Sequence, residues 1–206
     1  MIFYSIQFMR YGILILAFVS LSACSFLSPV KPNLPDRYLI NRLPAHVPVK
    51  KNRQAVILVS MPETHAIYNT TQMAYSIKPY QIAYFSQNEW AEPPVQMLQP
   101  LLVQTLQNTH SFRSVVTPPY SGHFDYVLNT QLLELKQDFT RRTPVLVMTV
   151  NAQLYKVSSQ QIIAARQFNA EVMIPYGTPY GGVFAANYAA SYILGQIANF
   201  CLANIH

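Results

Sequence analysis

One thiol in this chain stands where acyl chemistry is done. Leu21-Ser22-Ala23-Cys24 follows directly on an apolar run over 11–19, with Arg10 ahead of it. A basic residue, a short apolar stretch and small residues before a cysteine are, in that order, the parts of a secretory signal that is cut ahead of a lipid-modified Cys. The run is shorter than the roughly 20 apolar residues a membrane-spanning helix needs, so it reads as a signal. Cys24 is then the first residue of the mature chain, and acyl chains on it hold the protein to a membrane. Two starts fit this reading: Met1, ahead of an uncharged stretch, and Met9, which with Arg10 makes the more compact basic region.

The remaining reactive side chains are scattered. His46, His65, His110, His123 and His206 lie far apart, without metal-ligand spacing, and His123-x-Asp125 comes nearest to an acid–base pair. The strand pattern puts that pair at a turn, where it is read as structural. Glu89 and Glu92 are read as charges at a turn and at a helix start, where a carboxylate meets the positive end of the helix dipole. There is no Gly-x-Ser-x-Gly elbow, no His-Glu-x-x-His and no phosphate-binding glycine loop, and the chain has only six glycines. No catalytic residue, metal or cofactor is expected. Cys201, among Ile197, Phe200 and Leu202, reads as a small buried hydrophobe, and with Cys24 acylated it has no partner for an intramolecular disulfide. The fourteen tyrosines suit strands as well as they suit ligands.

By likeness to other lipoproteins, the residue after the acylated cysteine helps to choose the membrane. Ser25 implies transfer to the periplasmic face of the outer membrane, where an Asp would imply retention in the inner one. Of the 206 residues, the first 23 are the signal, which leaves 183, enough for one domain with a proper core. Residues 24–36 carry Pro29, Pro32 and Pro35 at three-residue spacing and read as an extended tether; residues 37–206 are the domain. With 51% apolar and 11% charged residues the chain is globular. Its net charge of +6 is spread out, with Lys50-Lys51 and Arg141-Arg142 as the densest spots, so nucleic acid is not an expected partner and weak attraction to anionic headgroups is.

Periodicity supplies the elements. Residues 38–43 read as a first strand and 55–60, a continuous β-branched run, as a fully buried one, followed by a loop over 61–70. Runs at 73–77 and 81–85 flank Lys78-Pro79-Tyr80 as a hairpin. Pro93-Pro94 opens a helix to about 109, with Val95, Leu98, Leu101, Leu102 and Leu106 on one face; Pro100 should kink it, or mark where its regular part begins. A strand at 112–116 and three long strands at 125–139, 145–157 and 162–174 follow, the last three as an antiparallel meander. From about 183 the chain is helical to its end. Ala185, Ala186, Ala189 and Ala190 let that helix approach the sheet closely, and it is apolar almost all round. Either it is buried on both sides or its outer face meets another subunit.

The segment Tyr84-Phe85-Ser86-Gln87-Asn88-Glu89-Trp90-Ala91-Glu92-Pro93-Pro94, followed by Leu98, Leu102 and Leu106, resembles the most recognisable part of the ABC-type transport auxiliary lipoproteins, among them the paraquat-inducible C-type lipoproteins. The likeness extends to the layout: lipobox, a strand at Tyr38-Leu39-Ile40, a buried strand followed by Met61-Pro62, a strand led by Asp125-Tyr126 and an Ala-rich last helix. Pro94, Pro100 and the many Gln and Asn residues depart from the pattern. Physically, Trp90-Ala91-Glu92-Pro93 makes a strand-to-helix corner: Trp90 covers the end of the core, Glu92 sits by the positive helix start and Pro93 sets the first turn.

The resemblance implies a single α/β domain, with a mixed sheet and its antiparallel meander packed by a central and a C-terminal helix. It also implies a non-catalytic part in a system, comprising an ATPase, a permease and an MCE-domain periplasmic protein, that moves lipids or hydrophobic compounds. The MCE-domain protein is the expected partner, docking on the last helix around Tyr188, Tyr192 and Phe200, with self-association as a further use of that face. An assembly or structural lipoprotein of a secretion or cell-wall machine is the alternative.

Overall fold

A single long strand organises the sheet. The computed structural model describes residues 34–49 and 54–205; the signal, Cys24, Ser25 and most of the expected tether lie outside them. Among the described residues nine strands form one mixed sheet. β1 (Asp36–Tyr38) precedes β2 (Val56–Val59) and β3 (Glu63–Thr64). Next come β4 (Gln72–Ser76), β5 (Ala83–Trp90), helix α1 (Pro94–Gln107) and β6 (Ser114–Val116). The chain closes with β7 (Tyr126–Asp138), β8 (Val145–Lys156), β9 (Gln161–Met173) and helix α2 (Pro179–Asn204). Residues from Pro35 onward form one compact unit, an α/β domain.

Three short strands take turns along one edge of β7. β2 pairs parallel with its start (Ile57 opposite Tyr126), β3 with its middle (Glu63 opposite Gln131) and β4 with its end (Tyr75 opposite Gln137). β8 runs antiparallel along the other edge and carries β9, giving the expected meander. A bulge at Leu132/Glu134 interrupts the β7–β8 ladder, adding local twist. The outer strands close the order β1-β5-β4 on one side and β2-β6 on the other.

Helices cover one face. On β7 and β8, Leu128, Leu132, Leu146, Met148 and Leu154 are fully buried. They point to the same side because alternate residues of a strand do. Leu98, Leu101, Leu102 and Leu106 of α1 meet them, and so do Ala185, Ala186, Ala189, Ala190, Ile193 and Ile197 of α2. Cys201 is buried there too, and that burial pushes its thiol up to about 12. The alanines let α2 lie close, because each adds one carbon beyond the backbone.

Several expected boundaries move. The first strand stops at Tyr38, and the residues up to Leu43 leave the sheet to run beside α2. Asn187 draws them there: its Oδ1 accepts from the Asn41 and Arg42 N–H groups at 2.9 and 3.1 Å, and its Nδ2 donates to the Leu39 carbonyl at 2.9 Å. The loop expected over 61–70 holds β3 and a short 3-10 turn at Ala66–Tyr68. α1 does not wait for Pro100 but is helical from Pro94, the first-turn position that tolerates proline. Pro100 and Gln96, whose carbonyl loses its donor, are both exposed, so the lost bond faces solvent. α2 starts at Pro179, not near Val183, since Thr178 caps it with Oγ1 accepting from the Gly181 N–H at 3.0 Å.

The corner behaves as the sequence suggests, shifted by one residue. Trp90 ends β5 and is 3% exposed, its N–H donating to the Thr71 carbonyl at 2.7 Å while Ala91 N–H donates to Tyr38 at 2.8 Å. Pro93 is the residue before the helix and Pro94 takes its first turn. Glu92 is exposed. Truncation of Trp90 to Ala should cost about 3 to 5 kcal/mol and lower Tm by roughly 10 °C; unchanged calorimetric melting of Trp90→Ala would show that the indole contributes no packing.

Candidate functional site

The most unusual surface lies on α2. All 26 residues of that helix are uncharged. Four aromatic residues at four-residue spacing face outward: Tyr180, Phe184, Tyr188 and Tyr192 are 54, 48, 51 and 58% exposed. A four-residue step overshoots a helical turn by only about 40°, so the rings follow one slowly winding ridge, about 18 Å long at 1.5 Å per residue. The small residues of the same helix face the sheet. Of the two alternatives for this helix, burial on both sides is therefore excluded.

Neighbouring groups hold the ridge in shape. Tyr180 packs edge-on to Phe184, with centroids 4.9 Å apart, and tilts against Tyr38 at 5.7 Å. The Arg42 guanidinium lies 3.9 Å over the Tyr188 ring, a cation–π contact. On one flank Leu39, Asn41 and Arg42 with Val183 and Asn187 line a groove of about 460 Å³. On the other, Val172, Met173, Pro175 and Tyr176 line one of about 500 Å³. Met173 and Tyr176 are themselves well exposed. The groove on the first flank is bordered by the polar Asn41, Arg42 and Asn187, and the ridge and the groove at 172–176 form an apolar area of the kind that marks interaction sites. Their aromatic composition is that of interface anchors.

Two of the three residues expected at this face are there. Tyr188 and Tyr192 stand on the ridge; Phe200 does not. Phe200 is 7% exposed and meets Phe168 of β9 edge-to-face at 5.8 Å, because it lies two turns beyond Tyr192 and, at 3.6 residues per turn, its direction has rotated to the core side. Tyr180 and Phe184 were missed, although the Thr178-Pro179 cap signal would have brought both into the helix, and a four-residue aromatic period would then have been visible.

Elsewhere several charged and polar side chains hold the scaffold together. Asp125 joins β2 to β7: its Oδ2 accepts from the Val56 N–H at 2.8 Å, and Oδ1 sits 3.3 Å from His123 Nε2 at the surface. Glu89 pairs with Arg37 at 3.9 Å. Burial alone would raise the Asp138 carboxyl, but hydrogen bonds from the Thr140 hydroxyl and N–H, with the charge of Arg141, outweigh it and hold it below the ordinary carboxylate value. Gln137, fully buried, donates from Nε2 to the Pro179 carbonyl at the start of α2, and only a glycine at 182 leaves room for it. Tyr68 is pushed up to about 12 by burial and by the Glu134 charge. Among the described residues no three potential metal ligands come together, and no helix is long and apolar enough to cross a membrane.

The fold has solved relatives. A Xanthomonas campestris protein shares 18% identity, with 82% of this chain aligned to 96% of that one at a TM-score of 0.73. A second, uncharacterized protein shares 15% identity over 81% of this chain and 98% of its own, at a TM-score of 0.66. At these identities the likeness speaks for the fold alone. No curated protein sequence matches the chain. The family model described as "ABC-type transport auxiliary lipoprotein component" matches residues 38–198, from β1 through most of α2. The chain therefore belongs to the ABC-type transport auxiliary lipoprotein family.

Proposed function

We propose that this protein is a non-catalytic, outer-membrane-anchored component of an MCE-type ABC transport system that moves lipids or hydrophobic compounds between the two membranes. Family membership supports the auxiliary role, and the uncharged aromatic ridge is the observation that carries the mode of action. The protein works by docking. Tyr188 and Tyr192, with Tyr180 and Phe184 beside them, insert into an apolar surface of an MCE-domain partner, while Arg42 stacks on Tyr188 and Asn187 pins the strap that carries Arg42. The partner complex supplies the energy. Lipid on Cys24 keeps the docking face at the membrane, and Ser25 directs the protein to the outer one.

Three experiments test the parts separately. Cells labelled with a fatty-acid analogue should incorporate it into the wild-type protein and not into Cys24→Ala; equal label in the two would remove the anchor. Membrane fractionation should recover the wild type with the outer membrane, and Ser25→Asp should move at least part of it inward. A wild type found wholly in the inner membrane would refute the sorting role.

The ridge is tested by co-purification after crosslinking in cells. Tyr188→Asp and Tyr192→Asp should lose the MCE-domain partner while keeping the wild-type melting curve, since both side chains are half exposed. Phe200→Asp should unfold the domain. Retention of the partner by both tyrosine variants would place its contact elsewhere. Capture of a second copy of this chain in its place would assign the ridge to self-association.

A further inference from the structure

The outer face of the β7–β8–β9 meander, the one turned away from both helices, is divided by chemistry. One half is ionic. Lys136 pairs with Glu134 at 2.8 Å, and Arg141 reaches Glu171 at 2.7 Å and Asp138 at 3.4 Å. The other half carries amides. Cross-strand register sets Gln131, Asn151 and Gln167 opposite one another on three adjacent strands, and Asn129 opposite Gln153. All five are exposed or half exposed.

Above this amide row the chain makes a detour. β2 ends at Val59, β3 begins at Glu63, and both pair with β7; four steps here face the three from Leu128 to Gln131, and Ser60 N–H still donates to the Leu128 carbonyl at 3.1 Å, so one extra residue is taken up at Met61-Pro62. With Asn129, Gln131, Asn151 and Gln153, Ser60 and Met61 of the detour line a cleft of about 290 Å³, near the lower bound of ligand sites at about 300 Å³. Ser60 Oγ donates to Asn129 Oδ1 at 2.8 Å and so fixes which way that carboxamide faces. Glu63 is the one ionisable residue in the lining.

We propose that this cleft binds a neutral saccharide. A carboxamide offers two N–H donors and a carbonyl acceptor on one rigid plane; a sugar hydroxyl or acetamido group likewise donates and accepts. Amides in register stand about 4.8 Å apart across the strands and can engage successive polar groups on a saccharide. The lining has no cation to recognise a phosphate or carboxylate, and Glu63 repels both. Met61, 50% exposed, supplies an apolar surface for the C–H face of a ring. Uncharged donors and acceptors from β7 and β8 are gathered here beside Ser60 and Met61. The cleft is formed by a different part of the fold from the aromatic ridge, and its occupation does not depend on the transport reading.

Saturation-transfer NMR on the full chain in zwitterionic detergent tests this, with chitotriose and maltotriose as probes and trigalacturonate as their anionic counterpart. Transfer is expected to a neutral trisaccharide, with Kd on the order of 1 mM, and not to trigalacturonate. Preference for chitotriose assigns the cleft to acetamido sugars and preference for maltotriose to plain hydroxyl sugars. Asn151→Asp keeps the side-chain shape, removes the N–H donors and adds a second negative charge. It should weaken binding about tenfold at unchanged Tm, and Gln153→Ala should do the same by truncation. The proposal is overturned by the absence of transfer to either neutral probe at about 10 mM, by equal transfer to trigalacturonate, or by binding that both variants leave intact.

Discussion

Every pairing in the sheet leads back to β7. Its thirteen residues are bonded on one edge by the parallel strands β2, β3 and β4 and on the other by antiparallel β8, so its position sets theirs. Parallel partners cannot be joined to it by tight turns; each reaches it through a long connection, and two of those connections hold α1 and the β4–β5 hairpin. The alternation along β7 then decides both faces of the molecule. Leu128 and Leu132 turn to the helices, while Asn129 and Gln131 turn to solvent. A slip of one residue would exchange these sets, burying amides without partners and exposing the core.

The division of α2 follows from that constraint. The inner face must fit against closely spaced β-strands, which selects alanines and leaves bulk for Ile193 and Ile197. Among the described residues the aromatic rings of the opposite side stay about half exposed. A polar helix face would satisfy solvent there, yet the side chains are aromatic, and the strap from Leu39 to Leu43 flanks them without hiding them. Stacking by Arg42 and edge-on packing within the ridge reduce the rotamer freedom of these rings before any partner arrives. Less ordering entropy then remains to be lost on association.

Asp125 joins β2 to β7, and Glu171 pairs with Arg141 at the surface; exposed ion pairs of this kind contribute little to stability. The distinctive surfaces are an apolar ridge on the helical side and an amide-lined cleft on the bare side of the sheet. They differ in composition, and the sheet separates them.

The residue pattern by itself determined the buried β2 run, the long meander, the opening of α1 at the Trp90 corner and the family likeness, through which the α/β class was expected, because each rests on short-range periodicity or on a local motif. The burial of Cys201 among Ile197, Phe200 and Leu202 belongs to the same local kind, and the expected acylation of Cys24, outside the described residues, rests on a local signal too. Tertiary structure decided what depends on partners distant in the chain. Asn187 takes residues 39–43 off the sheet from nearly 150 positions away, and Thr178 moves the start of α2 forward so that Tyr180 and Phe184 join Tyr188 and Tyr192. Phe200 looked equivalent to those tyrosines in one dimension. Helical pitch turned it inward onto Phe168. The amide row is a further case: Gln131, Asn151 and Gln167 are unremarkable one strand at a time, and only the β7–β8–β9 register places them side by side.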